Sequence, residues 1–152
     1  MKNSATKSKS NPPSRMRMVA PSLRILLVDD EPTVLRTLKR GLVTKRPGWS
    51  VLAVTGSEDA GRLLASEAFD VVLSDYEMPV LNGIELLKLV KRHQPTALRV
   101  ILSGISRGQA TNVPPGLLHG WLSKLYSVEE LIRQCEDLLV KRDQRKSRAR
   151  AG

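Results

Sequence analysis

A doubly wound α/β fold, with a five-stranded parallel sheet and helices on both faces, is the architecture this sequence predicts. Three observations carry the prediction. Short unbroken apolar runs recur along the chain, as in strands buried on both faces. Stretches with apolar residues at helical spacing separate them. The acidic residues stand at the ends of the runs rather than inside them.

Ile25-Leu26-Leu27-Val28 is the first such run, and it stops on Asp29-Asp30. Pro32 then suits the first turn of a helix, and Val34, Leu35, Leu38 and Leu42 share one face. Glu31 to about Lys45 is therefore an expected helix, ended by Pro47-Gly48. Trp49 to Val54 reads as strand, Ser57 to Ala68 as helix, Val71 to Ser74 as strand, Gly83 to Arg92 as helix and Leu98 to Ser103 as strand. A weaker helical stretch runs from Arg107 to Val113, where Pro114-Pro115-Gly116 must shorten it. Gly120 to Ser123 is a last short strand. In the final helix Ser127 and Glu130 form a capping box, and Val128, Leu131, Ile132, Cys135, Leu138 and Leu139 make one stripe, so Cys135 reads as core. Five strands alternating with five helices give a flavodoxin-like order.

The chain has 152 residues, enough for one domain with flanks. Aromatics are only 3% of it, so the core must be aliphatic. Cys135 is the single cysteine; no intrachain disulfide can form, and a cytoplasmic setting is expected. No apolar run approaches the roughly 20 residues that span a bilayer, so no membrane partner is expected. The net charge of +10 lies outside the body: residues 1–22 carry +5 and residues 141–152 another +5, leaving 23–140 neutral. Residues 1–22, rich in Ser, Lys and Pro, are expected to be a disordered basic arm. Residues 23–140 are expected to be the domain, and 141–152 a basic C-terminal tail.

In doubly wound sheets the ligand site lies at the carboxyl ends of the strands. Here those ends carry Asp29-Asp30-Glu31, Asp75, Ser103 and Lys124. Any one of the acids could be a helix cap; the set on one rim points to chemistry. Like charges about 4 Å apart repel by ~4 kcal/mol at an effective dielectric of 20. A hard divalent cation relieves this, and all-oxygen ligands suit Mg²⁺ or Ca²⁺, with Mg²⁺ favoured where carboxylates share it with a phosphoryl group. Lys124 and Ser103 are placed to meet the other phosphoryl oxygens. A nucleotide fold would instead have glycines in the first loop, and a haloacid-dehalogenase phosphatase would have Asp-x-Asp there; neither is present.

Ile25-Leu26-Leu27-Val28-Asp29-Asp30-Glu31, Phe69-Asp70-Val71-Val72-Leu73-Ser74-Asp75-Tyr76-Glu77-Met78-Pro79 and Leu81-Asn82-Gly83-Ile84-Glu85-Leu86-Leu87 together resemble the response-regulator receiver family, over nearly all of residues 23–140. The resemblance implies that Asp75 is the phosphoacceptor. It implies Mg²⁺ on Asp30 and Asp75 directly, on Asp29 mainly through water, and on the backbone carbonyl of Glu77. Ser103 would be the switch hydroxyl, Lys124 the phosphate-binding lysine and Trp121 the switch aromatic. The implied donor is a histidine kinase or phosphotransfer protein, and the protein would catalyse only its own phosphoryl transfer.

Three positions depart from the family pattern. Leu125 follows Lys124 where proline is usual, so no cis peptide and a different placement of Lys124 are expected. Pro114-Pro115 interrupts the fourth helix, and Trp121 replaces Tyr or Phe. His93, His119 and Trp49 receive no role. The expected output is contact with a downstream protein; the alternative is a receiver that gates weak binding of nucleic acid or an acidic surface by its basic tails. Those tails have no aromatic residues to stack on bases.

Overall fold

The structure, a computed structural model, describes residues 22–151. The expected arm of residues 1–22 lies, but for Ser22, outside the described residues. Five parallel strands, β1 (Arg24–Val28), β2 (Ser50–Val54), β3 (Val71–Asp75), β4 (Leu98–Ser103) and β5 (Gly120–Ser123), form one sheet in the order β2-β1-β3-β4-β5. The helices are α1 (Pro32–Lys45), α2 (Ser57–Ser66), α3 (Gly83–His93) and α4 (Val128–Ala151).

Alternate residues of each strand feed two aliphatic layers. Ile25, Leu27, Val71, Leu73, Val100 and Leu102 meet Leu35 and Leu42 of α1 and Leu131, Ile132 and Cys135 of α4. On the opposite face Leu26, Val28, Val72 and Ile101 meet Ala60 and Leu64 of α2 and Ile84, Leu87 and Val90 of α3. Cys135 sits in the first layer as expected, and burial pushes its thiol up to about 12. Of the capping box read from the sequence, Ser127 Oγ accepts from Glu130 N–H at 3.1 Å while the Glu130 carboxylate turns to Arg133 and Gln134; Asn82 Oδ1 caps α3 by accepting from Glu85 N–H at 2.9 Å.

The helical stretch expected over Arg107–Val113 is corrected to a single 3₁₀ turn, Arg107–Gln109, so among the described residues four α-helices rather than five surround the sheet. Asn112 takes the left-handed region at φ 58°, and Val113 precedes a proline, which disfavours helical backbone. The irregular segment still covers its face of the sheet, because Leu117 is buried there and Val113 and Leu118 pack beside it. The last helix departs in the other direction and continues beyond its apolar stripe to Ala151. Among the described residues no helix is long and apolar enough to cross a membrane.

Candidate functional site

β1 and β3 run side by side, with Val28 level with Ser74, so the residues after them emerge together at the carboxyl edge. Asp29 and Asp75 are buried there, at 3% and 8% exposure, and Asp30 is exposed. One carboxylate oxygen from each of the three lies within 4.8 Å of those of the other two. Lys124, delivered by β5, bridges them: its Nζ is 2.9 Å from Asp29 Oδ2 and 3.2 Å from Asp75 Oδ1. It is also 3.8 Å from Glu31 Oε1, a carboxylate to which sequence reasoning gave no separate role.

The departure at Leu125 does not displace the lysine. The described residues contain no cis peptide, and the turn is held by Leu125 N–H donating to Ser123 Oγ at 3.0 Å, while Lys124 N–H donates to the Ser103 carbonyl at 2.9 Å. A hydroxyl and a main-chain bond orient this strand end, and with Leu125 next to it Lys124 reaches Asp29 and Asp75.

Asp29 serves two purposes, since its Oδ1 accepts from Glu31 N–H at 2.9 Å while Oδ2 meets Lys124. One Asp29 oxygen thus caps the turn while the other faces Lys124. Asp75 has its carboxyl raised above the usual carboxylate range, first by burial and then by the negative charge of Asp29, with Lys124 pulling the other way. Burial pulls the Lys124 ammonium down, but its hydrogen bonds and charge contacts with Asp29 and Asp75 outweigh that, so its net shift is upward. One ammonium facing three carboxylates leaves an unbalanced, all-oxygen negative pocket, and a hard divalent cation is the chemical species that fits it.

Gly83 makes the pocket possible from below. A Cβ there would overlap the Asp75 carbonyl oxygen and the Ile101 side chain, so only glycine lets α3 start this close to Asp75. Gly83 N–H donates to the Tyr76 carbonyl at 2.8 Å, and Ser74 Oγ donates to the Asp75 carbonyl at 2.9 Å. Between them Val80, 80% exposed, takes a φ of 73°, a strained backbone for a β-branched residue. The Glu77 side chain is exposed and is not one of the three grouped carboxylates.

Ser103 is buried at the end of β4, and its Oγ accepts from Ile105 N–H at 3.1 Å. Trp121 is half-buried, and its indole Nε1–H donates to the carbonyl of the same Ile105 at 2.9 Å. The two residues read as a switch pair therefore hold Ile105 by its two backbone groups, the N–H and the carbonyl of successive peptides. Sequence reasoning missed Tyr76, whose ring meets that of Trp121 at 5.3 Å between centroids and 51° between planes. The available signal was its place directly after Asp75 in a chain with five aromatic residues. It missed Arg99 as well, an arginine inside an otherwise apolar strand and only 4% exposed.

The family model of the response regulator receiver domain matches residues 25–136. Among curated relatives, the hydrogenase transcriptional regulatory protein HoxA of Bradyrhizobium diazoefficiens is 31% identical over 117 residues, 74% of this chain and 23% of that protein. The chain spans only 12–23% of the lengths of the first curated relatives it matches. Among solved structures, a signal receiver domain of an HD domain-containing protein from Pseudomonas fluorescens Pf-5 is 26% identical with a TM-score of 0.70, covering 82% of this chain and 99% of that one. The response regulator TrrA of Thermotoga maritima, solved in complex with Mg²⁺-BeF, is 26% identical with a TM-score of 0.67, covering 76% and 98%. The acidic edge of the sheet, the strand order and the matched segment all agree, and the chain belongs to the response regulator receiver domain family.

Proposed function

We propose that this chain is a phosphoacceptor switch of two-component signalling in which Asp75 accepts a phosphoryl group, with Mg²⁺ held by Asp29, Asp30, Asp75 and the backbone carbonyl of Glu77. The observation that carries the reading is the bridge from Lys124 Nζ to Asp29 and Asp75 beside the exposed Asp30. The donor is the phosphohistidine of a histidine kinase or phosphotransfer protein. An Asp75 carboxylate oxygen attacks phosphorus; the new P–O bond forms as the P–N bond breaks, and the leaving imidazole takes up a proton. When bound, Mg²⁺ supplies positive charge to the carboxylates and the phosphoryl oxygens. Lys124 contributes a fixed ammonium on the other side, already oriented by Asp29. The buried surroundings of Asp75 keep water from most directions. Such a protein catalyses only its own phosphorylation, and the relation to TrrA bound to Mg²⁺-BeF supports the metal in this role.

The receiver of this reading spans residues 23–140, followed by the basic segment 141–152. Ser103 leaves its bond to Ile105 N–H to donate to a phosphoryl oxygen, which loosens the residue whose carbonyl Trp121 holds. The surface around Trp121 and Tyr76 then changes shape for a downstream protein. The test is incubation with an acyl phosphate and Mg²⁺ followed by intact-mass measurement. One added phosphoryl group, lost in Asp75→Ala and labile to hydroxylamine, is expected. Equal labelling of the variant would overturn the assignment.

A further inference from the structure

The final helix does not stop where its core contacts do. Leu131, Ile132 and Cys135 are buried, and Leu138 and Leu139 pack at the edge of the same layer. Val140 is already 55% exposed, and after it alanine is the only apolar residue type, yet α4 runs on to Ala151. Two contacts set its direction at the changeover. Leu138 packs over Gly120 so closely that a Cβ there would meet it at 2.6 Å, and Arg142 Nη1 donates to the Thr96 carbonyl at 2.7 Å.

From Lys141 to Arg150 this extension carries six Lys/Arg and one acid, Asp143, which pairs with Arg142 at 3.3 Å. Among the described residues no other carboxylate is in ion-pair distance of these cations. Lys141, Arg145, Arg148 and Arg150 are exposed and Lys146 is half-exposed. At 3.6 residues per turn the six cations fall within an arc of about 200° with Arg150 at its edge, whereas Asp143, Gln144 and Ser147 occupy the remainder. Like charges three and four residues apart repel along that arc, and a dense line of negative charge is what relieves them.

We propose that the helical extension from Lys141 to Arg150 is a binding face for the phosphate backbone of double-stranded nucleic acid, contacted without regard to sequence by Lys141, Arg145, Lys146, Arg148 and Arg150. This goes beyond the phosphoacceptor reading and does not depend on it. The chemistry selects the partner. A protein interface is anchored by buried aromatic or aliphatic residues, and a membrane-surface helix needs an apolar face to insert; the extension has neither. Binding here must run on charge alone, which a duplex permits through release of its counterions. Ten residues of helix span about 15 Å, a length along which a duplex carries roughly nine phosphates, enough to face five cations.

The test is anisotropy of a fluorescein-labelled duplex DNA titrated with the full chain between roughly 50 and 200 mM salt, the range over which phosphate contacts weaken steeply. Neutralising three cations in R145Q/R148Q/R150Q should lower affinity at the low-salt end at least tenfold and make the log–log salt slope shallower by about 3. The far-ultraviolet melting midpoint should stay level or rise slightly, because these exposed side chains repel one another and make no ion pair within the described residues. Unaltered affinity in the triple variant would overturn the proposal, since the basic residues of segment 1–22 would then account for all binding. So would the absence of any binding by the wild-type chain. Displacement of the duplex by polyglutamate as readily as by unlabelled duplex would assign the face to acidic proteins and equally overturn it.

Discussion

At the carboxyl edge of the sheet three carboxylates, Asp29, Asp30 and Asp75, cluster around one site, and a single ammonium, Lys124, pairs with two of them. At the amino edge of the same sheet the arrangement is reversed in sign and in completeness. Arg99, buried at the start of β4, donates from Nε to the Leu117 carbonyl at 2.7 Å and from Nη1 to the Pro95 and Ala97 carbonyls at 3.0 and 3.2 Å. Arg142 caps the neighbouring Thr96 carbonyl, and His119 Nδ1 accepts from Arg99 N–H at 2.9 Å. Here cations meet main-chain carbonyls of the irregular segments that lead into β4 and β5, and the polar groups are used up within the protein. The carboxyl edge keeps its charge in excess, which costs stability and leaves something for a ligand to bind. One end of the sheet is built for binding and the other for holding the chain together.

Substitutions should separate these two purposes. The largest effect belongs to Asp75→Asn: loss of labelling by an acyl phosphate by at least about a hundredfold, with a thermal midpoint equal to or above that of the wild type, because a buried charge beside Asp29 is removed. A lowered midpoint would show that Asp75 stabilises the fold and would erase the contrast. Arg99→Met should do the reverse. Leaving the Leu117, Pro95 and Ala97 carbonyls unpaired should cost about 2–4 kcal/mol in urea unfolding, while labelling of the folded fraction proceeds at the wild-type rate.

The pH dependence of stability sharpens the same contrast. Burial, and then the charges of Arg99, Arg142, Arg145 and Lys146, push His119 down to about 4. A histidine held neutral in the folded protein but free to protonate near 6.5 when unfolded makes the unfolded state bind more protons between those values. Its stabilising contribution is intact above about 6.5, falls as pH drops and is lost by about 4, amounting to on the order of 3 kcal/mol. His119→Asn retains a side-chain acceptor without that titration, so the difference between the two stability–pH curves should be flat above pH ~7 and change across that window. A difference curve that is flat throughout would show that His119 protonates freely in the fold. The smallest effect is Trp121→Phe, which removes the bond to the Ile105 carbonyl and should cost about 0.5–1.5 kcal/mol while quickening the response of that loop to beryllofluoride. Equal stability and equal response would show that the indole N–H holds nothing.

Strands, three of the four helices and the acidic rim were legible because they rest on local signals. Val71 to Ser74 could only be a buried strand, and Asp75 had to follow it at the edge. Where reading along the chain failed, the deciding contacts were distant. The basic stretch after Leu139 read as a tail because its apolar period ends there, yet α4 continues, with Arg142 set by the carbonyl of Thr96, 46 residues away. Arg99 looked like a strand residue of no consequence until the carbonyls of Leu117 and Pro95 were brought around it.

What the sequence determined by itself is the alternation of buried strand and amphipathic helix, and with it which residues stand at strand ends, since hydrophobic period and chain direction are local properties. The tertiary structure alone decided that Lys124 reaches Asp29 and Asp75 without a proline after it, that Ser103 and Trp121 hold the two backbone groups of Ile105, and that Arg99 is answered by carbonyls rather than by an acid. Each depends on distances of a few ångströms between segments far apart in the chain, and electrostatic and hydrogen-bond energies change sharply over such distances while the residue pattern along the chain does not.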